Sequence, residues 1–318
     1  MSTIFTPAFI VSLLAAGVRM SIPLMLPAVG EIYAERSGIM NINLEGQMLM
    51  GAFFSFVVGH YTGSVILALL AGALAGMLQA LLMATACIRW KGQHVVVGIV
   101  LNMFALGFTS FWYRVVFGVT VAPPTADVSG GATTAIPGLS QIPIIGDILF
   151  NQHFLFYIAI AVTIVSAFIL NRTFFGFKVK SAGENPRAAE TMGVNVSRTR
   201  YLSMMICGAL AGLGGSFLSV ISLNRFVDNI TASRGFIALA LVIFGRWNPI
   251  AVFFSSLLFG TADALQLRLQ AVGLEVPFHL MLMLPYLLTV IVMIATSKKS
   301  KAPAALGSNY EREKVLEK

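Results

Sequence analysis

The sequence predicts an all-α polytopic membrane protein with about nine or ten transmembrane helices. Apolar residues make up 57% of its 318 residues and charged residues only 11%, whereas a water-soluble domain carries roughly 25% charged residues. The mean hydropathy is +0.85, and the apolar residues fall in long runs. A chain of this length has room for about eight to ten spans of about 20 residues each. The composition therefore excludes a soluble globular protein.

Nine apolar runs are predicted to enter the membrane. The run at residues 235–246 is too short to span a bilayer at about 1.5 Å per residue, so we expect a partial or tilted segment there. If residues 31–60 contain a broken helix, the count becomes ten and the amino terminus moves to the inside, and the sequence leaves both counts open. The runs are residues 8–29, 38–60, 63–87, 95–117, 152–171, 201–222, 235–246, 249–270 and 278–296.

The distribution of charge predicts the sidedness of the loops. Residues 172–200 are rich in Lys and Arg, and three lysines follow the last apolar run, whereas residues 118–150 contain neither Lys nor Arg. Positively charged loops stay in the cytoplasm. We therefore expect a transmembrane domain at residues 1–297 with a cytoplasmic loop at 172–200, an extracytoplasmic loop at 118–150 and a charged cytoplasmic tail at 298–318. The net charge is +8, but the basic residues lie between apolar runs rather than along one soluble face, so they do not indicate nucleic-acid binding.

A weak internal repeat is centred on the motif GALAG. The motif occurs at Gly72–Gly76 and again at Gly208–Gly212, and each copy is followed by a second run that begins with glycine. The charge pattern places the two motif helices in opposite directions, which is typical of the inverted repeats of transporters. Glycines at this spacing also let helix backbones pack closely. We expect packing, rather than contact with a solute, to be the role of these glycines.

Polar side chains enter the apolar runs at a few positions. A charged side chain at mid-bilayer costs about 2.5–3.5 kcal/mol, so such a residue should face protein or a watery cavity. Gly38 and Gly46 flank the polar stretch and indicate a broken backbone. Arg19 is a candidate ion-pair partner for Glu45, and a structural pair and a solute-binding role are equally open. The candidates for a substrate pathway are Asn41, Asn43, Glu45, Asn102 and Asp263.

The basic loop contains the segment GENPRAAETMGV at Gly183–Val194. Asn185 can cap a helix, Pro186 fits its first position, and Gly193 supplies a left-handed end. A helix this short is unstable alone and needs a surface to dock on, so it is predicted to couple the chain to a partner, the alternative being an ordinary basic loop. The coupling candidates are Glu184, Asn185, Pro186, Arg187, Ala188, Ala189, Glu190, Met192 and Gly193.

Motifs for catalysis are missing from the sequence. It contains no GxxxxGK[ST] loop for ATP, and its four histidines are scattered without the spacing of a metal site. Cys87 and Cys207 fall inside apolar runs and are expected to be packing residues. The chain is therefore not expected to be an enzyme or to bind a metal or cofactor.

With these residues in view, the chain resembles the branched-chain amino acid and simple-sugar permease family of bacterial ABC importers, and within it the nucleoside-type subgroup. The landmarks occur in family order across most of residues 10–296. They are ERSGIMNINLEGQMLMGAF at Glu35–Phe53, GENPRAAETMGV at Gly183–Val194, GALAGLGGS at Gly208–Ser216, GFIALALVIFGRWNP at Gly235–Pro249 and MLPYLLT at Met283–Thr289.

The resemblance implies a ten-helix permease fold of the vitamin-B12-importer type in the bacterial cytoplasmic membrane. It also implies cytoplasmic ATPase subunits that use ATP and Mg, a second related permease and an extracytoplasmic solute-binding lipoprotein. The solute it implies is a purine nucleoside, with a ribose- or galactose-like sugar or a flavin still open. Two alternatives come from other functional classes. One is a secondary carrier that couples an ion gradient through Glu45 or Asp263, and the other is a membrane scaffold that transports nothing.

Overall fold

The computed structural model describes residues 7–118, 144–271 and 301–311, with isolated residues from 124 to 142 and from 287 to 294. These residues are mostly helical, and short π-helical segments continue two of the helices, at Thr85–Arg89 and Phe217–Ser222. Two-residue strands β1 (Thr134–Ala135) and β2 (Asn151–Gln152) pair antiparallel. The helices are α1 (Pro7–Arg36), α2 (Leu44–Thr62), α3 (Val65–Ala84), α4 (His94–Phe117), α5 (Phe154–Arg172), α6 (Phe174–Glu184), α7 (Pro186–Thr191), α8 (Val196–Ser216), α9 (Arg234–Phe244) and α10 (Pro249–Ala271).

The all-α membrane class is confirmed. Within the described residues, six helices are long and apolar enough to cross a membrane, and the 11-residue α9 is the short segment predicted at 235–246. The predicted span at 278–296 lies outside the described residues apart from isolated positions, so the choice between nine and ten spans stays a prediction. The six spans are Phe9–Arg36, Val65–Arg89, His94–Phe117, Phe154–Arg172, Val196–Ser222 and Pro249–Gln270.

The boundary between the first two helices differs from the predicted one. α1 continues past residue 29 to Arg36, with Pro23 and Pro27 inside it, and α2 begins only at Leu44. The intervening residues 37–43, called the break below, are not helical, and Gly38 has a φ of +97° that favours glycine. The broken backbone predicted from the glycines is therefore confirmed, and it lies between two helices.

The two GALAG motifs pack against each other along a glycine seam, formed by Gly72, Gly76, Gly208 and Gly212. A Cβ atom on Gly76 would overlap the carbonyl oxygen of Gly208, and one on Gly212 would overlap that of Gly72. Because the pairing order reverses along the chain, α3 and α8 run antiparallel. The predicted packing role is confirmed, and the antiparallel arrangement is the one that an inverted repeat requires.

Residues 301–311, called the carboxyl-terminal segment below, fold back onto the helices. The backbone N–H of Ala305 donates to the carbonyl of Gly183 at 2.8 Å, and that of Gly307 donates to the carbonyl of Gly38 at 3.0 Å. Leu306 packs against the main hydrophobic core. Part of the predicted charged tail therefore joins the end of the bundle that carries α7.

Candidate functional site

Asn41 lies at the centre of a buried polar cluster. Its Nδ2 group donates to Glu31 Oε2 at 2.8 Å and to Gln47 Oε1 at 3.2 Å, and its Oδ1 accepts from Gln47 Nε2 at 3.1 Å. The thiol of Cys207 donates to Glu31 Oε2 at 3.1 Å, so this residue forms a hydrogen bond in addition to its predicted packing. Glu31, Asn41 and Gln47 are completely buried, which places the Asn41 cluster inside the helix bundle.

Asn43 and Asn102 lie at the junction of the break with α2 and α4. Asn102 Oδ1 accepts from the backbone N–H of Gly46 at 2.7 Å, and its Nδ2 donates to the carbonyl of Ile42 at 2.8 Å. Gln79 Nε2 approaches Asn43 Oδ1 at 3.4 Å. The side-chain amide of Asn102 satisfies backbone groups of the break and of the first turn of α2, so its role in this conformation is to hold the break.

Glu45 binds the start of α9. Its Oε1 accepts from the hydroxyl of Thr231 at 2.5 Å and from the N–H of Ser233 at 2.9 Å, and its Oε2 accepts from the N–H of Gly235 at 2.6 Å. A carboxylate at a helix amino terminus is stabilised by the unpaired N–H groups and by the helix dipole. The side chain of Glu45 therefore fixes the position of α9 against α2.

The predicted pair of Arg19 with Glu45 is not found among the described contacts. Arg19 instead lines a cavity of about 490 Å³ beside Asp147 and Asn151. The physical reason is the packing of α1: a Cβ atom at Gly17 would overlap the side chain of Thr261, so this part of α1 lies against α10. Glu45 lies against α9 and is bound there.

Asp263 meets Arg234 at the same helix start. Its Oδ2 lies 3.3 Å from Arg234 Nη2, and each side chain is about one-fifth exposed, at 21% and 20%. The first residues of α9 are thus held by Glu45 from α2 and by Asp263 from α10. The structure brings these two predicted pathway residues to one helix end, while Asn41, Asn43 and Asn102 gather around the break.

The predicted short helix is confirmed in its local structure. α7 covers Pro186–Thr191, the Asn185 side chain accepts from the N–H of Ala188 at 3.1 Å, and Gly193 has a φ of +82°. The buried side of α7 is Ala189, which packs with Ala182 and Val196. On the other side, Met192 is 84% exposed. α7 is therefore packed through Ala189 on one side, and Met192 at its end is exposed.

The surroundings of α7 place its remaining predicted residues. Arg187 and Ala188 are exposed, and Glu184 Oε2 accepts from the N–H of Ala304 at 3.5 Å. A cavity of about 340 Å³ opens beside the helix. It is lined by Glu190, Gly193, Val194, Asn195, Val196, Ser197 and Tyr310.

Two charged groups outside the membrane-spanning helices have altered acidity. Burial, followed by the nearby charge of Arg36, lowers the pKa of Lys180, whose Nζ donates to Asn171 Oδ1 at 2.8 Å. The hydrogen bond from Lys91 and its positive charge lower the pKa of Glu311, and the two residues form an ion pair. The pair persists as the pH falls until the lowered pKa of Glu311 is reached.

Several residues of the site were missed by the sequence analysis. Glu35 accepts from Trp247 Nε1 at 2.5 Å, and Arg36 Nε donates to the carbonyl of Trp247 at 2.9 Å. The spacing of Glu31 and Glu35, four residues apart on one helix face, was the available signal. Arg200 is 2% exposed although its sequence position predicted a loop, and local sequence contains no signal for its burial.

No arrangement for a metal ion is found in the described ranges. There, no group of three or more His, Cys, Asp and Glu side chains is disposed to hold one. The polar groups described above form hydrogen bonds with one another and with the backbone, so they connect helices.

Residues 13–296 match the family described as branched-chain amino acid transport system / permease component. The chain is 39% identical to the guanosine ABC transporter permease protein NupQ of Bacillus subtilis, over 91% of this chain and 92% of the relative. It is 37% identical to the nucleoside ABC transporter permease protein NupC of Lactococcus lactis, over 92% and 95%. It is 34% identical to the putative glucose ABC transporter permease protein TsgC13 of Haloferax volcanii, over 96% and 99%.

The two bacteria each have a second, more distant relative of this chain. NupP of Bacillus subtilis, also described as a guanosine ABC transporter permease protein, is 27% identical, and NupB of Lactococcus lactis, a nucleoside ABC transporter permease protein, is 29% identical. No solved structure matches the chain, so the fold of the vitamin-B12-importer type stays a prediction. The family match covers nearly the whole membrane domain and agrees with the polytopic helical fold. This chain is a multi-pass cytoplasmic-membrane protein that belongs to the family of branched-chain amino acid transport system permease components.

Proposed function

We propose that the chain is the membrane-spanning subunit of an ABC importer that moves nucleosides, most specifically purine nucleosides, into the cell. The observation that carries this proposal is the near full-length match to the guanosine and nucleoside permease proteins at 39% and 37% identity. The putative glucose permease protein is also similar but is less identical, at 34%. The subunit is not itself an enzyme; it provides the path through which the solute passes.

The energy for transport enters through α7. Residues 172–200 lie in the cytoplasm, where a separate ATPase subunit hydrolyses ATP with Mg and receives the exposed side of α7. Met192 and the cavity beside Glu190 supply an apolar contact and a recess for that partner. The support for this role is the capped geometry of the helix, which is packed on one side, since a helix this short depends on packing for its stability.

The path for the solute is built around the break and the start of α9. Asn41, Asn43, Glu45, Asn102 and Asp263 are in this conformation bound to backbone or to other side chains. We infer that they support the path and reach it when the helices move, as polar groups on broken membrane segments do in other transporters.

A nucleoside suits this chain because α4 carries a row of aromatic rings. The ring centroids of Phe104 and Phe108 are 5.5 Å apart, and those of Phe108 and Trp112 are 6.1 Å apart. Phe104 is 47% exposed and Trp112 is 42% exposed. Aromatic faces stack on nucleobases. A sugar has no base and therefore cannot make this stacking contact.

The assembly has further subunits. The presence of two matching permease proteins in each of the two bacteria supports a second, related permease as the partner of this chain. An extracytoplasmic lipoprotein that captures the solute completes the proposed importer.

Reconstituted transport tests this proposal. The chain would be purified with its ATPase, second permease and binding protein, placed in vesicles, and assayed with radiolabelled guanosine and with ribose and glucose as competitors. We expect uptake that requires ATP on the cytoplasmic face and is blocked by unlabelled nucleosides. Uptake by the purified chain alone under a proton or sodium gradient would instead establish a secondary carrier.

The role of α7 has its own test in the same vesicles. Deleting Arg187–Glu190 is expected to abolish uptake while the chain remains in the membrane. Retained ATP-dependent uptake would contradict the coupling role and leave the assignment to the family untouched.

A further inference from the structure

We propose that the carboxyl-terminal segment is a mechanical link between α7 and the break, in addition to the close approach of Gly183 to the backbone of Arg36 and Gly38, and that Asn309 is its main positioning residue. The proposal rests on the proposed function, because a link is needed only if α7 receives energy from a partner. It assigns a role in transport to residues that lie outside both the membrane spans and α7.

One side of the segment is fixed to the region of α7. The N–H of Ala305 donates to the carbonyl of Gly183, two residues before the cap of α7, at 2.8 Å. The ring of Tyr310 packs on the cluster of small apolar side chains that anchors Ala189. A displacement of α7 therefore displaces the segment.

The other side is fixed to the break. The N–H of Gly307 donates to the carbonyl of Gly38 at 3.0 Å. Arg200 also connects the break with the carboxyl-terminal segment. Its Nε donates to the carbonyl of Ser37 and its Nη1 to the carbonyl of Ser308, both at 3.1 Å. Arg200 is 2% exposed, so these charge-assisted bonds form away from water, where they are strongest.

Asn309 extends the link through His94. The ring Nδ1 of His94 accepts from the N–H of Met40 at 3.1 Å, so in the neutral ring the proton is on Nε2, which donates to Asn309 Oδ1 at 3.2 Å. The Nδ2 group of Asn309 donates to the carbonyl of Lys91 at 2.7 Å. One side chain thus connects the segment to the break and to the loop before α4.

The link leads directly to the polar groups in the membrane. Met40 precedes Asn41, the centre of the Asn41 cluster, and Ile42, whose carbonyl is held by Asn102. Four hydrogen-bonding residues, Ala305, Gly307, Ser308 and Asn309, lie within five consecutive residues. Ala304, Leu306, Tyr310 and Glu311 beside them make further contacts with other parts of the chain, so the segment is held along its length. Motion at α7 and motion at the break are therefore coupled through a continuous set of hydrogen bonds.

The test compares two neighbouring variants in the complete transporter in vesicles. Asn309→Ala removes the bonds to His94 and Lys91, whereas Ser308→Ala removes only a bond from its hydroxyl to Ala305 within the segment and keeps the carbonyl that Arg200 binds. The measured quantities are nucleoside uptake, ATP hydrolysis and their ratio. We expect Asn309→Ala to lower the nucleoside moved per ATP hydrolysed by about tenfold with hydrolysis retained, and Ser308→Ala to match the parent.

A ratio for Asn309→Ala equal to that of the parent would overturn the proposal. So would a parallel loss of uptake, hydrolysis and assembled transporter, because it would assign the segment a purely structural role. A second pair of variants lacks residues 303–318 or residues 312–318. We expect only the longer deletion to lower the nucleoside moved per ATP hydrolysed. If the parent transporter itself moves no nucleoside with ATP, the proposed function fails instead, so the two failures are distinguishable.

Discussion

The Oδ1 atom of Asn102 accepts a hydrogen bond from the backbone N–H of Gly46 at 2.7 Å. Gly46 lies in the first turn of α2, where a helix leaves its N–H groups without partners. Asn43 stands at the cap position but makes no capping bond with its side chain. Asn102 of α4 therefore caps the start of α2 from a distant part of the chain, because the local side chain at the cap position does not do so.

Replacing Asn102 by Ala is expected to destabilise the folded chain. The substitution leaves the N–H of Gly46 and the carbonyl of Ile42 unpaired in a partly buried site, at a cost of about 1–3 kcal/mol. Thermal unfolding of the purified chain in detergent measures the change. Met103→Ala, at a neighbouring position that is 69% exposed, is the control. Equal unfolding temperatures for the two variants would contradict the remote cap.

Replacing Gly76 by Ala is expected to separate α3 from α8. The added methyl group would overlap the carbonyl oxygen of Gly208, which is backbone and cannot rotate away, and overpacking of this kind costs about 1–3 kcal/mol. Gly107→Ala is the matched control, because no atom lies within 4 Å of its Cβ position. Unfolding in detergent should distinguish them, and a Gly76→Ala variant as stable as the control would refute the close contact.

Glu45→Gln is expected to loosen the start of α9. The amide nitrogen of Gln would face N–H donors that now bind a carboxylate, and the bond to the hydroxyl of Thr231 would weaken. A double-mutant cycle with Thr231→Val measures the coupling, which we expect to be about 1 kcal/mol, as found for residues in direct contact. Strictly additive effects on unfolding would show that the two side chains do not interact.

Asn185→Ala is expected to impair transport without removing the chain from the membrane. Loss of a helix cap costs about 1 kcal/mol, which is a large share of the stability of the six-residue α7. Asn195→Ala removes an equivalent bond, to the N–H of Arg198 at 2.9 Å, from α8, which is packed along its length. Co-purification of the ATPase and nucleoside uptake should fall for the first variant only. Equal losses in both would argue against a special role for α7.

Features that depend on a few neighbouring residues could be predicted from the sequence. Asn185, Pro186 and Gly193 specify the start and end of α7 by local backbone chemistry alone. The GALAG motifs predicted close helix packing because small residues at this spacing have few other functions in a membrane. The charge pattern also predicted the opposite directions of the two motif helices, whereas their contact with each other is known only from the structure.

Features that depend on distant partners could not be predicted. The predicted first span ends at residue 29, whereas α1 continues through Glu31, Glu35 and Arg36. Asn41 and Trp247, which lie far from these residues in the sequence or beyond the end of the helix, supply their hydrogen bonds. Arg19 and Glu45 have opposite charges and both lie in apolar surroundings, but charge alone does not specify which helix faces another. The bonds of Asn309 to His94 and Lys91 join residues more than 200 positions apart, beyond the reach of any local pattern.

The glycine seam restricts how this protein is able to change shape. Where two main chains touch and only small side chains such as Ser216 and Ala80 lie beside them, few rotamers can rearrange and one helix has little room to slide past the other. α3 and α8 are therefore expected to move together as one rigid pair. In the proposed importer, opening toward either face of the membrane is then left to segments outside this rigid pair, and the break and the short α9 are the candidates.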